Sequence, residues 1–119
     1  MSVTKLGADL SSPSLFKLLR VTEKCRDALD FMEAQTLQCL LLIATNPGIR
    51  QSDLVEKTGL APSTISRNIA MLSKVFKPGT PGLDFVRAFE DPSYRRTKLV
   101  ELTPKGQRFV AELIKLMEG

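Results

Sequence analysis

Two groups of polar side chains in this chain could do chemistry, and both suit recognition of a partner rather than the making or breaking of a bond. Arg95 and Arg96 stand together in a polar, turn-forming stretch, and Ser63, Thr64 and Arg67 stand upstream of them. A guanidinium group pairs with phosphate or with the two acceptors of guanine, and a hydroxyl group hydrogen-bonds to either. We therefore expect binding chemistry directed at an anionic partner.

Residue types on which many catalytic sites depend are missing. The sequence contains no His, which excludes His-based triads, His general bases and His metal ligands. Cys25 and Cys39 lack the paired spacing of a zinc site or a disulfide framework, and no glycine-rich phosphate loop is present. We expect no catalytic residue, no metal site and no cofactor. Both cysteines are interpreted as buried structural thiols, with an oxidant sensor as the rarer alternative.

Length and composition indicate one ordinary globular domain. The chain has 119 residues, of which 43% are hydrophobic and 25% charged, and no apolar run approaches the ~20 residues that span a bilayer. Residues 1–12 carry a single Lys and no apolar segment of the kind found in signal peptides. We expect a flexible tail over residues 1–12, one domain over residues 13–119, no membrane partner and a cytoplasmic location.

The positive charge is concentrated in one part of the chain. Residues 1–62 carry seven Lys or Arg and seven Asp or Glu, whereas residues 63–108 carry nine and four. Basic charge collected on a few elements is typical of a surface that binds phosphate.

Apolar spacing predicts two helices in the first half of the chain. Ser12 and Pro13 suit a helix start, and the following apolar residues recur at steps of three and four, which predicts one buried stripe. That stripe consists of Leu15, Leu18, Leu19, Cys25 and Leu29. Asp30 and Glu33 have the spacing of a capping box for a second helix, which residues 46–48 would end.

Residues 51–72 have the pattern of two helices joined by a tight turn. Gly59 suits the positive φ of a helix C-cap, and Pro62 suits the first position of the next helix. Apolar residues at 65, 69 and 72 would face inward. The remaining polar side chains would then face outward, as a helix that reads the major groove requires. They are Ser63, Thr64, Ser66, Arg67 and Asn68.

A hairpin with a cationic tip is predicted downstream. Four Pro or Gly residues among residues 77–82 predict a loop. Alternation predicts strands over Asp84–Glu90 and Lys98–Leu102, with Arg95 and Arg96 presented by the turn over residues 91–97. A last helix would follow Thr103. Its apolar residues are Phe109, Val110, Leu113, Ile114 and Met117.

These segments together resemble the MarR family of transcriptional regulators. Residues 64–67, Thr-Ile-Ser-Arg, resemble the core of that family's recognition helix. Asp91-Pro92, followed by Arg-Arg-Thr-Lys-Leu-Val-Glu-Leu-Thr-Pro-Lys-Gly over residues 95–106, resembles its wing and the start of the next helix. The resemblance covers residues 13–119 and implies a mainly α fold with a small β-hairpin, a winged helix-turn-helix.

The resemblance also implies a function and a site. A regulator of this kind, more often a repressor, binds a near-palindromic site in double-stranded DNA as a homodimer, with the recognition helix in the major groove and the Arg wing in the minor groove. With Arg87 and Lys98 added from the hairpin, the candidate DNA-binding residues are Ser63, Thr64, Ser66, Arg67, Asn68, Arg87, Arg95, Arg96 and Lys98.

Two other functions remain open at this point. A winged-helix module could use the same surface, or its terminal helices, to bind proteins in a replication or phage complex. The second alternative is a small enzyme that works without His. Steep salt dependence of DNA affinity would separate DNA binding from the interaction module.

Overall fold

The computed structural model describes residues 10–119, in which helices are joined to a small antiparallel sheet. The predicted tail therefore lies mostly outside the described residues, and the division at residue 13 stays a prediction. The helices are α1 (Pro13–Ala28), α2 (Ala34–Thr45), α3 (Gln51–Thr58), α4 (Pro62–Leu72) and α5 (Pro104–Glu118). The strands are β1 (Ile49–Arg50), β2 (Val75–Lys77), β3 (Thr80–Pro81), β4 (Val86–Glu90) and β5 (Lys98–Leu102). The predicted fold class is confirmed.

The start of α1 is as predicted, whereas the predicted cap of α2 is wrong. The hydroxyl of Ser12 accepts a hydrogen bond from the Ser14 amide at 3.2 Å, one residue into the helix. At α2, the N-cap is Glu33, whose side chain makes no capping hydrogen bond. Asp30 lies one turn back and instead pairs with Arg26 at 3.4 Å. The Asp30 carboxylate thus pairs with Arg26 of α1 and does not cap α2.

The apolar stripe predicted for α1 is only partly buried. Val21 and Cys25 are buried and belong to the core, while Leu15, Leu18 and Leu19 are about half exposed. The helix packs on α5, and Lys24 and Glu112 form an ion pair at 2.9 Å between the two helices. The first half of α1 therefore presents leucines to its surroundings.

Residues 51–72 form the predicted pair of helices with a tight turn. Gly59 ends α3 with φ +72°, in the left-handed region that glycine adopts without steric cost, and its amide donates to the Val55 carbonyl at 2.9 Å. Ile65, Ile69 and Leu72 of α4 are buried in the core, as their spacing predicts.

The main sheet has the strand order β1-β5-β4. β4 and β5 form a regular antiparallel hairpin in which Val86 lies opposite Leu102 and Glu90 lies opposite Lys98. β1 pairs with the other edge of β5, with Ile49 opposite Val100. The predicted return strand is confirmed. The first strand begins two residues later than predicted, because Asp84 takes a positive φ of 58° and bends the chain before Phe85.

The predicted loop over residues 77–82 is wrong in part. β2 and β3 pair there, with Val75 opposite Pro81 and Lys77 opposite Thr80. Gly79 makes the turn with φ +79°. The Pro and Gly residues thus form the turn and one edge of a second, very short hairpin that packs on α4.

The last helix is joined to the sheet by a close backbone contact. The hydroxyl of Thr103 donates to the Asp84 carbonyl at 2.6 Å and accepts from the Gly106 amide at 3.0 Å. Gly106 lies directly against the Phe85 backbone, and the rings of Phe85 and Phe109 stack with their centroids 4.5 Å apart. This junction fixes the base of the β4–β5 hairpin. Within residues 10–119, no helix is long and apolar enough to cross a membrane.

Candidate nucleic-acid interface

One face of α4 is polar and open to solvent. Since Ile65, Ile69 and Leu72 point into the core, the opposite face carries Ser63 and Arg67, both exposed, with Ser66 exposed beside them. Thr64 is half-buried at the edge of this face. Four of the five α4 residues proposed from the sequence therefore reach the surface of one helix.

Asn68 does not reach that surface, and its predicted exposure is wrong. The residue is 2% exposed. Its amide group donates to the Thr64 carbonyl at 2.9 Å, and its carbonyl oxygen accepts from the Thr36 hydroxyl at 2.5 Å. A side chain that uses its hydrogen-bonding groups inside the protein cannot read a base, so Asn68 is removed from the candidate contacts.

Arg67 is exposed and carries one ion pair. Its guanidinium Nη1 lies 3.8 Å from the Glu33 carboxylate, a long separation for an exposed pair. The Gln35 side chain donates to the other Glu33 oxygen at 3.0 Å. Such pairs contribute about 0–1 kcal/mol, so Arg67 can exchange Glu33 for a stronger partner. The sequence did not identify Glu33 as a partner of Arg67, or Gln35 as a partner of Glu33, because Arg67 lies far from both along the chain.

The start of α4 has no side-chain cap. Its N-cap, Ala61, has no side-chain oxygen, and no side chain caps the helix. Free amides at a helix N-terminus favour an anion. Ser66 is linked to the preceding helix, since Gln51 donates to its hydroxyl at 3.1 Å.

The turn between β4 and β5, residues 91–97, forms the tip of the predicted wing. The Asp91 amide donates to the Thr97 carbonyl at 2.9 Å, and the Thr97 amide donates to the Tyr94 carbonyl at 2.9 Å. The Asp91 carboxylate accepts from the Ser93 amide at 2.9 Å. These bonds shape the tip without using an arginine side chain.

Arg95 and Arg96 are both exposed at this tip, and neither forms an ion pair with any residue in the described range 10–119. Tyr94 beside them is 70% exposed. The tip therefore presents two uncompensated guanidinium groups next to an aromatic ring.

The two other basic residues of the hairpin, Arg87 and Lys98, differ in whether they form an ion pair. Arg87 pairs with Glu101 on the neighbouring strand and lies over the Phe89 ring, 5.1 Å from its centroid. Lys98, at the end of β5, is exposed and forms no ion pair within the described residues. Arg87 is thus held in the sheet, whereas Lys98 lies near the tip, opposite Glu90 but without an ion pair in the described part of the chain.

The cysteines lie inside the protein, apart from this polar surface. Cys25 and Cys39 are buried and unpaired, and burial raises the pKa of both thiols. A raised pKa lowers the thiolate fraction at neutral pH, and the thiolate is the reactive form. This agrees with the structural role expected for both.

Comparison with protein families and known structures points to one fold. Residues 32–74 match the family model described as winged helix-turn-helix DNA-binding, which spans α2 to α4. A comparison with curated proteins found no match.

Several solved structures are similar over most of the chain. RV1404 from Mycobacterium tuberculosis is 18% identical with a TM-score of 0.72, and the likeness covers 99% of this chain and 75% of that one. A MarR transcriptional regulator from Methanosarcina mazei Go1 is 19% identical with a TM-score of 0.66, over 95% and 74% of the two chains. A mutant of S. aureus MepR bound to an oligodeoxyribonucleotide is 16% identical with a TM-score of 0.63, over 87% and 74%. The chain shares the fold of these proteins.

Proposed function

We propose that this chain, which has the winged helix-turn-helix fold of the MarR-type transcriptional regulators, binds double-stranded DNA at specific sites and thereby regulates transcription. The observation that carries the proposal is the pairing of an exposed Ser and Arg face on α4 with a hairpin tip whose two arginines have no acidic partner within residues 10–119. Cationic groups without internal partners suit phosphates, and short hydrogen-bonding side chains suit base edges.

The recognition helix, α4, would supply base contacts. Ser63 and Ser66 can donate or accept hydrogen bonds, and Arg67 can pair bidentately with the O6 and N7 atoms of guanine. Such a pair contributes about 1–3 kcal/mol of discrimination, more than the exposed contact with Glu33 that it replaces. Arg67 would therefore leave Glu33 where the DNA presents guanine.

The wing would supply contacts that depend less on sequence. Arg95 and Arg96, with Lys98 behind them, would bind the backbone or enter the minor groove, where a narrow groove attracts arginine. Arg87 would have to leave Glu101 to bind a phosphate, since the two side chains are already paired.

Similar proteins support this use of the fold. The MepR structure that resembles this chain holds an oligodeoxyribonucleotide, and the matching family model is described as DNA-binding. No observation specifically favours the protein-binding module considered from the sequence, nor an enzyme.

We further propose that the protein acts as a homodimer. Leu15, Leu18 and Leu19 of α1 are about half exposed, as are Ile114 and Met117 of α5, and these helices pack on each other. Apolar side chains of this size on neighbouring helices favour burial by a second copy. A two-fold dimer would place two recognition helices on one duplex, and occupation of such an operator would repress transcription.

Selection of bound sequences from random duplex DNA tests the proposal directly. We expect an enriched consensus made of two inverted half-sites about one helical turn apart, because a two-fold dimer reads a two-fold site. Enrichment of an asymmetric single site would contradict the dimer. Recovery of no consensus, with no binding at low salt, would contradict the proposed function.

A further inference from the structure

A buried polar contact joins α2 to the recognition helix. Thr36 is fully buried and Asn68 is 2% exposed, and the Thr36 hydroxyl donates to the Asn68 side-chain carbonyl at 2.5 Å. The Asn68 amide group donates in turn to the Thr64 carbonyl at 2.9 Å. Among the described residues, no buried side-chain polar atom lacks a partner, so this link is complete.

The link differs from the apolar contacts that hold α4 because it is directional, and it is buried, whereas the Gln51–Ser66 hydrogen bond of the same helix is exposed. Ile65, Ile69 and Leu72 attach the helix to the core, but apolar burial has no preferred direction. A hydrogen bond keeps its length within about 0.5 Å and requires alignment. Rotating a helix by about 15° moves a side-chain end about 6 Å from the axis by roughly 1.5 Å. The hydrogen bond therefore opposes rotation of α4 in addition to the close packing of its apolar side chains.

The position of the link along α4 is also informative. Asn68 directly follows Arg67 and lies one turn after Thr64, so the bond acts on the segment that carries the candidate base contacts. The N-cap of α2, Glu33, contacts Arg67 itself at 3.8 Å. The N-cap and first turn of α2 therefore meet the recognition helix at two successive residues.

We propose that Thr36 and Asn68 are positioning residues for base recognition: they fix the rotation of α4 and so determine where Arg67 and the serines point, without touching DNA. The proposal rests on the proposed function. Asn68, which the sequence analysis predicted to contact DNA directly, would thus act on recognition from inside the protein.

Loss of the link has a specific expected effect. Base recognition by paired hydrogen bonds depends on atomic geometry, whereas attraction to phosphates tolerates small displacements. Without the link, affinity for a selected operator should fall, while affinity for unrelated duplex DNA should change little. Discrimination between sequences is the readout, because a purely structural role in stability would not alter it.

Three variants separate the effect of losing the hydrogen bond from the effect of losing stability. Thr36→Val removes the hydroxyl with little change of shape and leaves the Asn68 oxygen without a donor. Thr36→Val with Asn68→Leu removes both polar groups, a change that is far less costly to stability than removing one. Thr36→Ser keeps the hydroxyl. Ile43→Val, which removes a buried methyl group later in α2, is the control for loss of core packing.

The experiment compares affinities for the selected duplex and for the same duplex with its half-site bases exchanged. We expect the ratio of the two affinities to fall about five-fold or more in Thr36→Val and in the double variant, since each good base contact contributes about five- to 150-fold. In Thr36→Ser and Ile43→Val the ratio should stay at the wild-type value. Amide hydrogen exchange in free protein should be faster over residues 62–72 in the double variant.

The outcomes separate the two proposals. A wild-type ratio in the folded double variant, or an equal loss in Ile43→Val, would overturn the positioning role and leave DNA binding intact. A wild-type protein that does not distinguish the two duplexes would overturn the proposed function itself.

Discussion

At the scale of single residues, we propose that sequence recognition depends most on Arg67. It is exposed in the middle of the polar face of α4, and its only ion-pair partner within the described residues is Glu33. A bidentate contact with guanine outweighs that pair. The wing arginines differ, because they have no ion-pair partner within residues 10–119 and would meet the backbone through charge.

Arg67→Ala should therefore weaken binding to the selected operator by about 1–3 kcal/mol and relax the base preference at one position of each half-site. Fluorescence anisotropy with single-base operator variants measures both effects. Asp30→Asn, which breaks the comparable exposed pair with Arg26 on α1, is the control and should leave the base preference unchanged. Retention of the full preference by Arg67→Ala would exclude this arginine from base reading.

The two buried thiols predict how the free energy of unfolding depends on pH. Burial raises the pKa of Cys25 and Cys39 above the ordinary value of 9.0. The unfolded chain ionises first, so the stabilisation from keeping both thiols neutral is fully present below pH 9.0 and is lost as pH rises through the folded-state pKa values. The free energy of unfolding, measured in urea, should fall across this range.

The native protein should also react slowly with a disulfide reagent near neutral pH, and quickly once guanidinium unfolds it. Rapid labelling of either cysteine in the native state would contradict the buried, neutral thiols. The double Cys→Ala variant should lose the alkaline decline attributed to these groups.

At the scale of elements, the junction between the hairpin and α5 sets the base of the wing. Gly106 lies so close to the Phe85 backbone that an added methyl group would overlap its carbonyl. Gly106→Ala should lower the free energy of unfolding by about 1–3 kcal/mol or more, as overpacking does. Thermal unfolding followed by circular dichroism measures it, with Gln107→Ala, exposed one residue later, as control. Equal stability of the two variants would contradict the close contact.

The elements marked by strong local signals could be predicted from the sequence. Gly59 and Pro62 mark the turn of the helix pair, and the return strand alternates clearly. The second hairpin escaped prediction because β2 and β3 have three and two residues, too few to show alternation, and their Pro and Gly suggested a loop. β1, with two residues, escaped for the same reason.

The exposure of the candidate residues on α4 was predicted except where a partner distant in sequence decides. Asn68 lies at the border of the buried stripe of α4, and it was predicted to face outward because it is polar. Its burial depends on Thr36, which stands 32 residues earlier. The capping box failed for a local reason: Asp30 pairs with Arg26, its i,i+4 neighbour, and α2 begins only at Ala34.

At the scale of the whole molecule, the exposed apolar residues of α1 and α5 predict self-association. Leu18→Glu should convert the proposed dimer to a monomer, because a carboxylate buried in an apolar interface loses its hydration. Sedimentation velocity measures this, and Gln38→Glu, which adds the same charge at an exposed position of α2, should remain dimeric. Unchanged mass in Leu18→Glu would place the dimer interface elsewhere.

The salt dependence of DNA affinity tests the central claim most directly. We predict that the affinity of wild-type protein for duplex DNA falls linearly in a plot of log K against log salt, with a slope of about −0.9 for each phosphate neutralised. Arg95→Ala with Arg96→Ala should make that slope shallower by about 2. Arg26→Ala with Lys115→Ala, which removes equal charge from the terminal helices, should leave it unchanged. A wild-type affinity that does not depend on salt, or equal slopes in the wild type and the wing variant, would contradict DNA binding through this surface.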